Sequence, residues 1–315
     1  MPDLSVVIPC FNEENVLPIT LQKVQKALDP WISDYEIILI DDGSEDKTWD
    51  IICDFSSIDP RVKGLRLSRN FGHQHALTCG LFNSRGNVVA ILDADLQDPP
   101  ELIKPMVDKL NEGFDVVFGK RRKREGEGLI KRLTAYCFYR VIKKLSGLDI
   151  PEDTGDFRVA TRTAVDAILR MPERHRFLRG MFAWIGFKQT AYLYDRPARA
   201  AGSTKYPLIK SFLLALDAII SFSKIPLRLA TVVGFVFAIL SGLYIVIIIV
   251  LFFLGINFPG YTSLMASILL LGGVQLICLG ILGEYVARIF EQTQFRPLFI
   301  VKEATQNLQS PVWIA

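Results

Sequence analysis

Asp93 and Asp95 stand either side of one small residue, directly after the apolar run 88–92, and Gln97 follows them. Two carboxylates so placed can divide the work of holding a nucleotide. One accepts hydrogen bonds from ribose hydroxyls; the other binds a hard divalent cation, Mg2+ or Mn2+, that bridges a diphosphate. Such a cation acts as a Lewis acid on a departing nucleoside diphosphate. The plainer reading is a charge pair capping the helix that Pro99-Pro100 begins. A second acidic group, Asp41-Asp42-Gly43-Ser44, closes another apolar run. Its carboxylates can accept from a base N–H or from ribose hydroxyls, with Gly43 letting the backbone come close. In isolation it would be an Asp-Gly turn. A third polar group, Pro9-Cys10-Phe11-Asn12-Glu13-Glu14, ends the first apolar run.

All three groups need strands behind them. Short β-rich runs at 4–8, 36–40, 62–67, 88–92 and 115–118 alternate with helical stretches at 14–27, 47–55, 74–83 and 100–111. Alternation of this kind predicts an α/β, Rossmann-like domain with a mainly parallel sheet and helices on both faces. In such sheets ligands bind beyond the carboxyl ends of the strands, where the three polar groups fall.

The chain has 315 residues, enough for one large domain and something smaller. Its hydrophobic fraction of 50% and mean hydropathy of +0.29 trace to a C-terminal region. No charged residue occurs between Arg228 and Glu284, and a turn-rich break at Gly255-Ile256-Asn257-Phe258-Pro259-Gly260 divides that stretch. Each half, 231–254 and 264–283, matches the roughly 20 apolar residues that cross a bilayer. Lys210, Lys224 and Arg228 precede the pair and Arg288, Arg296 and Lys302 follow it, which places both ends on the cytoplasmic side. The start of the chain runs straight into a strand and shows no signal peptide. After Gly119 comes a very basic run, Lys120-Arg121-Arg122-Lys123-Arg124, then an amphipathic stretch 129–145, read as a loop and helix at the membrane surface. Residues 205–228 carry too many charges to span and read as interfacial helices. The expected organisation is a catalytic domain at 1–204, interfacial helices at 205–228, two transmembrane helices at 229–285 and a C-terminal tail at 286–315. A net charge of +3 is too small to argue for nucleic acid, and the five cysteines are scattered singly, like reduced thiols. His73, His75 and His175 have no metal-like spacing and receive no role.

The run Val6-Val7-Ile8-Pro9-Cys10-Phe11-Asn12-Glu13-Glu14, with Asp41-Asp42-Gly43-Ser44 and Asp93-Ala94-Asp95-Leu96-Gln97-Asp98-Pro99-Pro100, resembles the family 2 inverting glycosyltransferases of GT-A fold. Within them it is most similar to the polyprenyl-phosphate branch, over essentially the whole chain. The resemblance implies that Pro9, Phe11, Glu13 and Asp42 line the nucleotide site, that Asp93 and Gln97 contact the donor, and that Asp95 holds Mg2+ or Mn2+. Many relatives carry Tyr at the place of Phe11; stacking on the base would survive the change. Arg121 and Arg124, followed by Lys131, resemble the loop that holds the lipid phosphate, with Arg122 an alternative to Arg121. Arg199 and Lys205 correspond to a cationic motif reaching the diphosphate or lipid phosphate. The segment Arg176 to Trp184 also fits the family, with a role in packing.

Asp153-Thr154-Gly155-Asp156-Phe157-Arg158 resembles the segment where a general base sits in enzymes acting on sugar hydroxyls, and Asp156 is the candidate. A phosphate monoester acceptor is already largely anionic at neutral pH, so Asp156 is either a base or a positioning group. The resemblance thus implies inverting transfer of a hexose, first glucose from UDP-glucose, to a polyisoprenyl (undecaprenyl) phosphate at the cytoplasmic face of a bacterial plasma membrane. GDP-mannose, UDP-GlcNAc and a UDP-amino sugar are the other donors weighed. A homotetramer is implied by the resemblance. A processive polysaccharide synthase is disfavoured by the missing Gln-x-x-Arg-Trp motif and by having only two spans. A flippase is disfavoured because no ionisable residue lies within the spans. A non-catalytic membrane scaffold is the alternative from another class.

Overall fold

Seven consecutive buried residues, Leu4–Cys10, form β1, and seven more, Tyr35–Asp41, form β2. A strand covered on both faces needs apolar residues at nearly every position, and both segments supply them. Ser5 and Glu36 are buried exceptions that satisfy each other: Ser5 Oγ donates to Glu36 Oε1 at 2.6 Å, and Lys63 Nζ pairs with Glu36 Oε2 at 2.5 Å. The computed structural model describes residues 2–122, 154–195, 225–255, 260–308 and 311–312.

The remaining strands are β3 (Val62–Leu67), β4 (Val88–Ile91), β5 (Val116–Arg121), β6 (Thr154–Thr161), β7 (Gln189–Tyr194) and β8 (Val301–Ala304). They make one sheet in the order β7-β5-β6-β4-β1-β2-β3-β8. The block β3-β2-β1-β4 is parallel throughout. β6 runs antiparallel between β4 and β5, β7 is parallel to β5, and β8 is antiparallel to β3. The connecting helices are α1 (Leu17–Leu28), α2 (Thr48–Ile58), α3 (His73–Asn83), α4 (Ile103–Asn111), α5 (Arg162–Leu169) and α6 (Leu178–Trp184). The five strands and four helices expected from the sequence are all present with shifted ends. α4 is preceded by a tight 3-10 turn over Pro100–Leu102. α1 begins later than expected because Asn12 turns through the left-handed region (φ 55°) and the Glu13 and Glu14 amides bond side chains of the next loop.

The stretch expected to be a C-terminal tail is largely structured. Phe299 is fully buried and stacks tilted against Phe82, with ring centroids 5.9 Å apart. Beyond it β8 zips along β3. Asn307 Nδ2 donates to Val62 O at 2.6 Å and to Pro60 O at 3.2 Å, Ser56 Oγ donates to Asn307 Oδ1 at 2.9 Å, and Trp49 Nε1 donates to Glu303 Oε2 at 3.1 Å.

The chain divides into two compact units, the one just described and a second that spans Lys144–Gly147 and Ile209–Phe295. The second contains α7 (Ile225–Phe253) and α8 (Tyr261–Thr293). Within them Ile225–Leu251 and Leu270–Thr293, 27 and 24 residues with mean hydropathy 2.9 and 1.7, are long and apolar enough to cross a membrane. Their apolar side chains are largely exposed, as lipid-facing residues are. Residues 225–228, expected to close an interfacial segment, form the first turn of α7; Pro226 is tolerated there because first-turn amides have no helical partner. The rest of the interfacial segment lies outside the described residues. α8 likewise continues past the expected boundary at 285.

Candidate active site

β1 has β2 on one side and β4 on the other, so the strand order reverses there, the kind of switch point beside which open α/β sheets bind ligands. The first two loops are laced together. Asn12 N donates to Ser44 Oγ and Glu45 N to Asn12 Oδ1, both at 2.9 Å; Glu13 N donates to Thr48 Oγ1 at 2.9 Å and Glu14 N to Asp46 Oδ2 at 3.1 Å. Pro9 and Cys10 end β1 inside this weave, and Phe11 emerges from it with 38% of its surface exposed. Phe11 is therefore available as a stacking face.

Asp42 is buried, and both its oxygens receive backbone amides: Phe71 N at 2.8 Å and Gly72 N at 3.0 Å. Burial pushes its pKa up to about 6 against the pull of these two donors. The loop so held passes close over Gly43, where a Cβ would sit 2.6 Å from the Arg69 carbonyl carbon. Asp42 thereby sets the entry of α3, whose first residues are His73 and Gln74.

Those two side chains reach Asp156. Its carboxylate, in the middle of buried β6, is 4% exposed and accepts from Arg179 Nε at 2.9 Å, Arg179 Nη2 at 3.1 Å, His73 Nε2 at 3.2 Å and Gln74 Nε2 at 3.3 Å. Burial alone would raise its pKa, but the Arg179 guanidinium and the His73 contact outweigh it and hold the carboxyl well below the usual range. Gln74 also accepts from Leu178 N at 2.9 Å, so α3 and α6 are pinned to the same carboxylate. Arg158, two residues along β6, folds back on the Gly155 and Asp156 carbonyls and lies 4.5 Å over the Phe182 ring; burial lowers its pKa to about 10.

After β4 the backbone turns sharply, with Leu96 at φ 58° and Gln97 N donating to Asp95 Oδ1 at 3.1 Å. Thr20 Oγ1 anchors this loop to α1 through Ala94 O at 2.7 Å. Asp93 Oδ1 lies 3.6 Å from His73 Nε2 and has no hydrogen-bond partner. Burial first, opposed by His73 and reinforced by Asp156, Asp98 and Asp95, raises the Asp93 pKa to about 6. Gln97 Oε1 is also buried without a partner. Among the described residues no three His, Cys, Asp or Glu side chains gather to hold a metal by themselves. The Asp95 carboxylate on this turn does offer hard oxygen donors, which suit a Mg2+ or Mn2+ ion that completes its shell with ligand oxygens and water.

Arg121 ends β5 and turns inward: its Nη2 lies 3.4 Å from where a Cβ on Gly155 would be, and its guanidinium borders Tyr194. The Tyr194 hydroxyl donates to Asp98. Arg122 points outward, with 58% of its side chain exposed. Arg124, Lys131, Arg199 and Lys205 lie outside the described residues. The structure thus brings Asp93, Asp156 and the unexpected His73, Gln74 and Arg179 into one ion-paired centre, with Asp95 and Gln97 on the adjoining turn. Arg176 packs as expected, its guanidinium donating to Met171 O and Ile168 O.

Residues 5–169 match the family described as glycosyl transferase family 2, and residues 225–289 match the GtrB C-terminal hairpin. The chain is 42% identical over 306 residues to the bactoprenol glucosyl transferase of Shigella phage SfV, covering 96% of this chain and 99% of that one. It is 46% identical over 302 residues to a glycosyltransferase of Synechocystis sp., covering 96% and 95%. A prophage bactoprenol glucosyl transferase homolog of Escherichia coli K12 is 41% identical over 302 residues, covering 95% and 98%. Among solved structures, glucosyl-3-phosphoglycerate synthase from Mycobacterium tuberculosis, in complex with Mn2+, UDP-glucose and phosphoglyceric acid, is similar with a TM-score of 0.46 at 19% identity, covering 70% and 78%.

Proposed function

The chain belongs to glycosyl transferase family 2, and from that premise we propose that it moves glucose from UDP-glucose to undecaprenyl phosphate, with inversion, giving a lipid-linked sugar for cell-envelope glycosylation. The observation that carries this reading is similarity to bactoprenol glucosyl transferases through both the catalytic sheet and the membrane hairpin, at 42% identity over nearly the full length.

In this reading the exposed face of Phe11 stacks on the uracil, and Pro9, Glu13 and Asp42 line the nucleotide pocket. Asp93, with an oxygen awaiting a donor, accepts from the sugar nucleotide. Asp95, with Gln97 beside it, would hold Mg2+ or Mn2+, whose chemistry when bound is neutralising charge on the leaving diphosphate. Arg121, Arg124, Lys131, Arg199 and Lys205 are the proposed cationic set for the acceptor phosphate and the diphosphate. The phosphate oxygen attacks the anomeric carbon as the bond to UDP breaks, in a single displacement. The attacking oxygen arrives ionised, so no base is needed, and Asp156, already saturated with donors and held ionised, acts as a positioning residue.

Connectivity supports a sidedness. β3 precedes the hairpin and β8 follows it, and they pair in one sheet, which favours both ends of the hairpin lying on one side of the membrane; the flanking lysines and arginines support the cytoplasmic one. A homo-oligomer, a tetramer by family resemblance, completes the proposal.

The test is transfer by the purified chain in detergent from radiolabelled UDP-glucose, GDP-mannose, UDP-GlcNAc and a UDP-amino sugar to undecaprenyl phosphate, with an Asp95→Ala control. Label from UDP-glucose in the lipid fraction, of opposite anomeric configuration to the donor, is the expected result. A retained anomer sinks the single displacement, another labelled sugar corrects the donor, and no transfer from any donor favours a non-catalytic scaffold.

A further inference from the structure

We propose that His73 is a positioning residue for the donor, tying the Asp156 carboxylate to Asp93 so that Asp93 stays aimed at the sugar nucleotide. Its Nε2 lies 3.2 Å from Asp156 Oδ2 and 3.6 Å from Asp93 Oδ1, between carboxylates carried on β6 and on the loop after β4. Without a cation between them the two acids would repel, and Asp93, whose Oδ1 has no hydrogen-bond partner, would be free to turn away. Asp156 is in turn fixed by Arg179, and the α3 entry that carries His73 is fixed by Asp42 through the Phe71 and Gly72 amides. The order Arg179, Asp156, His73, Asp93 therefore alternates in charge across four elements. Burial works against a charged imidazole here, but the hydrogen bond to Asp156 and the field of Asp93 prevail and raise the His73 pKa above its ordinary value. The side chain is 41% exposed, so its removal opens no cavity in the core.

The inference rests on the reading of this centre as a donor site, and two measurements separate the two claims. In the full chain without ligand, thermal unfolding of His73→Gln, Asp93→Asn and the double variant tests the tie itself. The double variant is expected to melt higher than the sum of the single shifts predicts; additive shifts overturn the proposal. With UDP-glucose, His73→Gln is expected to raise KM about tenfold with a smaller change in kcat, and His73→Lys, which restores a cation but not the ring, to return KM to within about threefold of wild type. A glutamine variant as good as the lysine one overturns the charge argument. If the wild-type chain binds no UDP-glucose, the donor reading fails while the melting cycle still judges His73.

Discussion

Replacing Arg179 with methionine removes the strongest partner of a carboxylate that has almost no access to water. Asp156 is 4% exposed, and two of its four close contacts come from Arg179, at 2.9 and 3.1 Å. Stripping one member from a buried ion pair costs about 3–5 kcal/mol, because the other charge is left without compensation. Two observations lower that figure here: the Arg179 side chain is 30% exposed, so its own desolvation and attraction are partly screened, and His73 and Gln74 remain in place. A loss of about 2–3 kcal/mol is therefore expected. For a domain of this size each kcal/mol moves the melting temperature by about 2–4 °C, so the fall should be about 4–12 °C. The assay is thermal unfolding in detergent at fixed scan rate, followed by the fluorescence of the four tryptophans. The companion variants are Asp156→Asn and the Arg179→Met/Asp156→Asn double. In the double variant the carboxylate left without Arg179 is itself gone, and buried Arg158, which loses a carboxylate 3.9 Å away, keeps its carbonyl and Phe182 contacts, so the double should melt above the Arg179→Met single. An Arg179→Met shift under about 2 °C, or a double variant that simply adds the two losses, would refute the ion-pair account.

Gly43→Ala puts a Cβ 2.6 Å from the Arg69 carbonyl carbon at φ +71°, whereas at Gly72, φ +97°, a Cβ meets nothing within 4 Å. Both Gly43→Ala and Gly72→Ala carry positive-φ strain of about 1–3 kcal/mol, Gly72 with ψ 152° in a region almost confined to glycine, but only Gly43→Ala also drives a Cβ into the backbone of the loop under α3, so it should weaken UDP-glucose binding more; equal losses in a titration of both variants would count against the clamp. The raised pKa of Asp42, about 6, means that the folded state holds this proton more tightly than the unfolded chain, so ionisation erodes stability as pH climbs from about 4 to about 6. Melting curves across that window should fall more for wild type than for Asp42→Asn, and parallel curves would contradict the assignment. Asn307→Ala strips the bonds to Val62 O at the start of β3, to Pro60 O and with Ser56 on α2 that fasten the segment after β8, and should cost about 1–3 kcal/mol, seen as a lower melting temperature. An unchanged melt would mean that the strand adds little.

The strand-end motifs were legible because their signal is local. An apolar run such as 88–92 has to stop where the sheet stops, and Asp93 and Asp95 mark that stop. Likewise the break at 255–260 divides the two membrane helices by composition alone. The ion-paired centre was not legible: His73 and Asp156 are 83 positions apart, and Arg179 a further 23, so nothing in the spacing announces their meeting. β6 escaped for a related reason. Thr154–Thr161 is buried at nearly every position yet contains Asp156 and Arg158, charges that become acceptable inside only through Arg179, the Phe182 ring and nearby carbonyls. β8 is four residues long, and its place against β3 depends on side chains beyond it, Thr305 and Asn307, that carry no strand signal of their own.

The pairing of β8 with β3 also sets a timetable for the nascent chain. β3 emerges from the ribosome early, but its neighbour is translated only after α7 and α8. Throughout that interval the half-made sheet carries a row of unpaired N–H and C=O groups along β3, the kind of edge on which other chains add. Delivery of the two helices to the bilayer and completion of the enzyme's fold are thus steps of one process. A chain whose helices stall on the way would be an aggregation-prone intermediate in need of a chaperone, rather than a working enzyme in the wrong place.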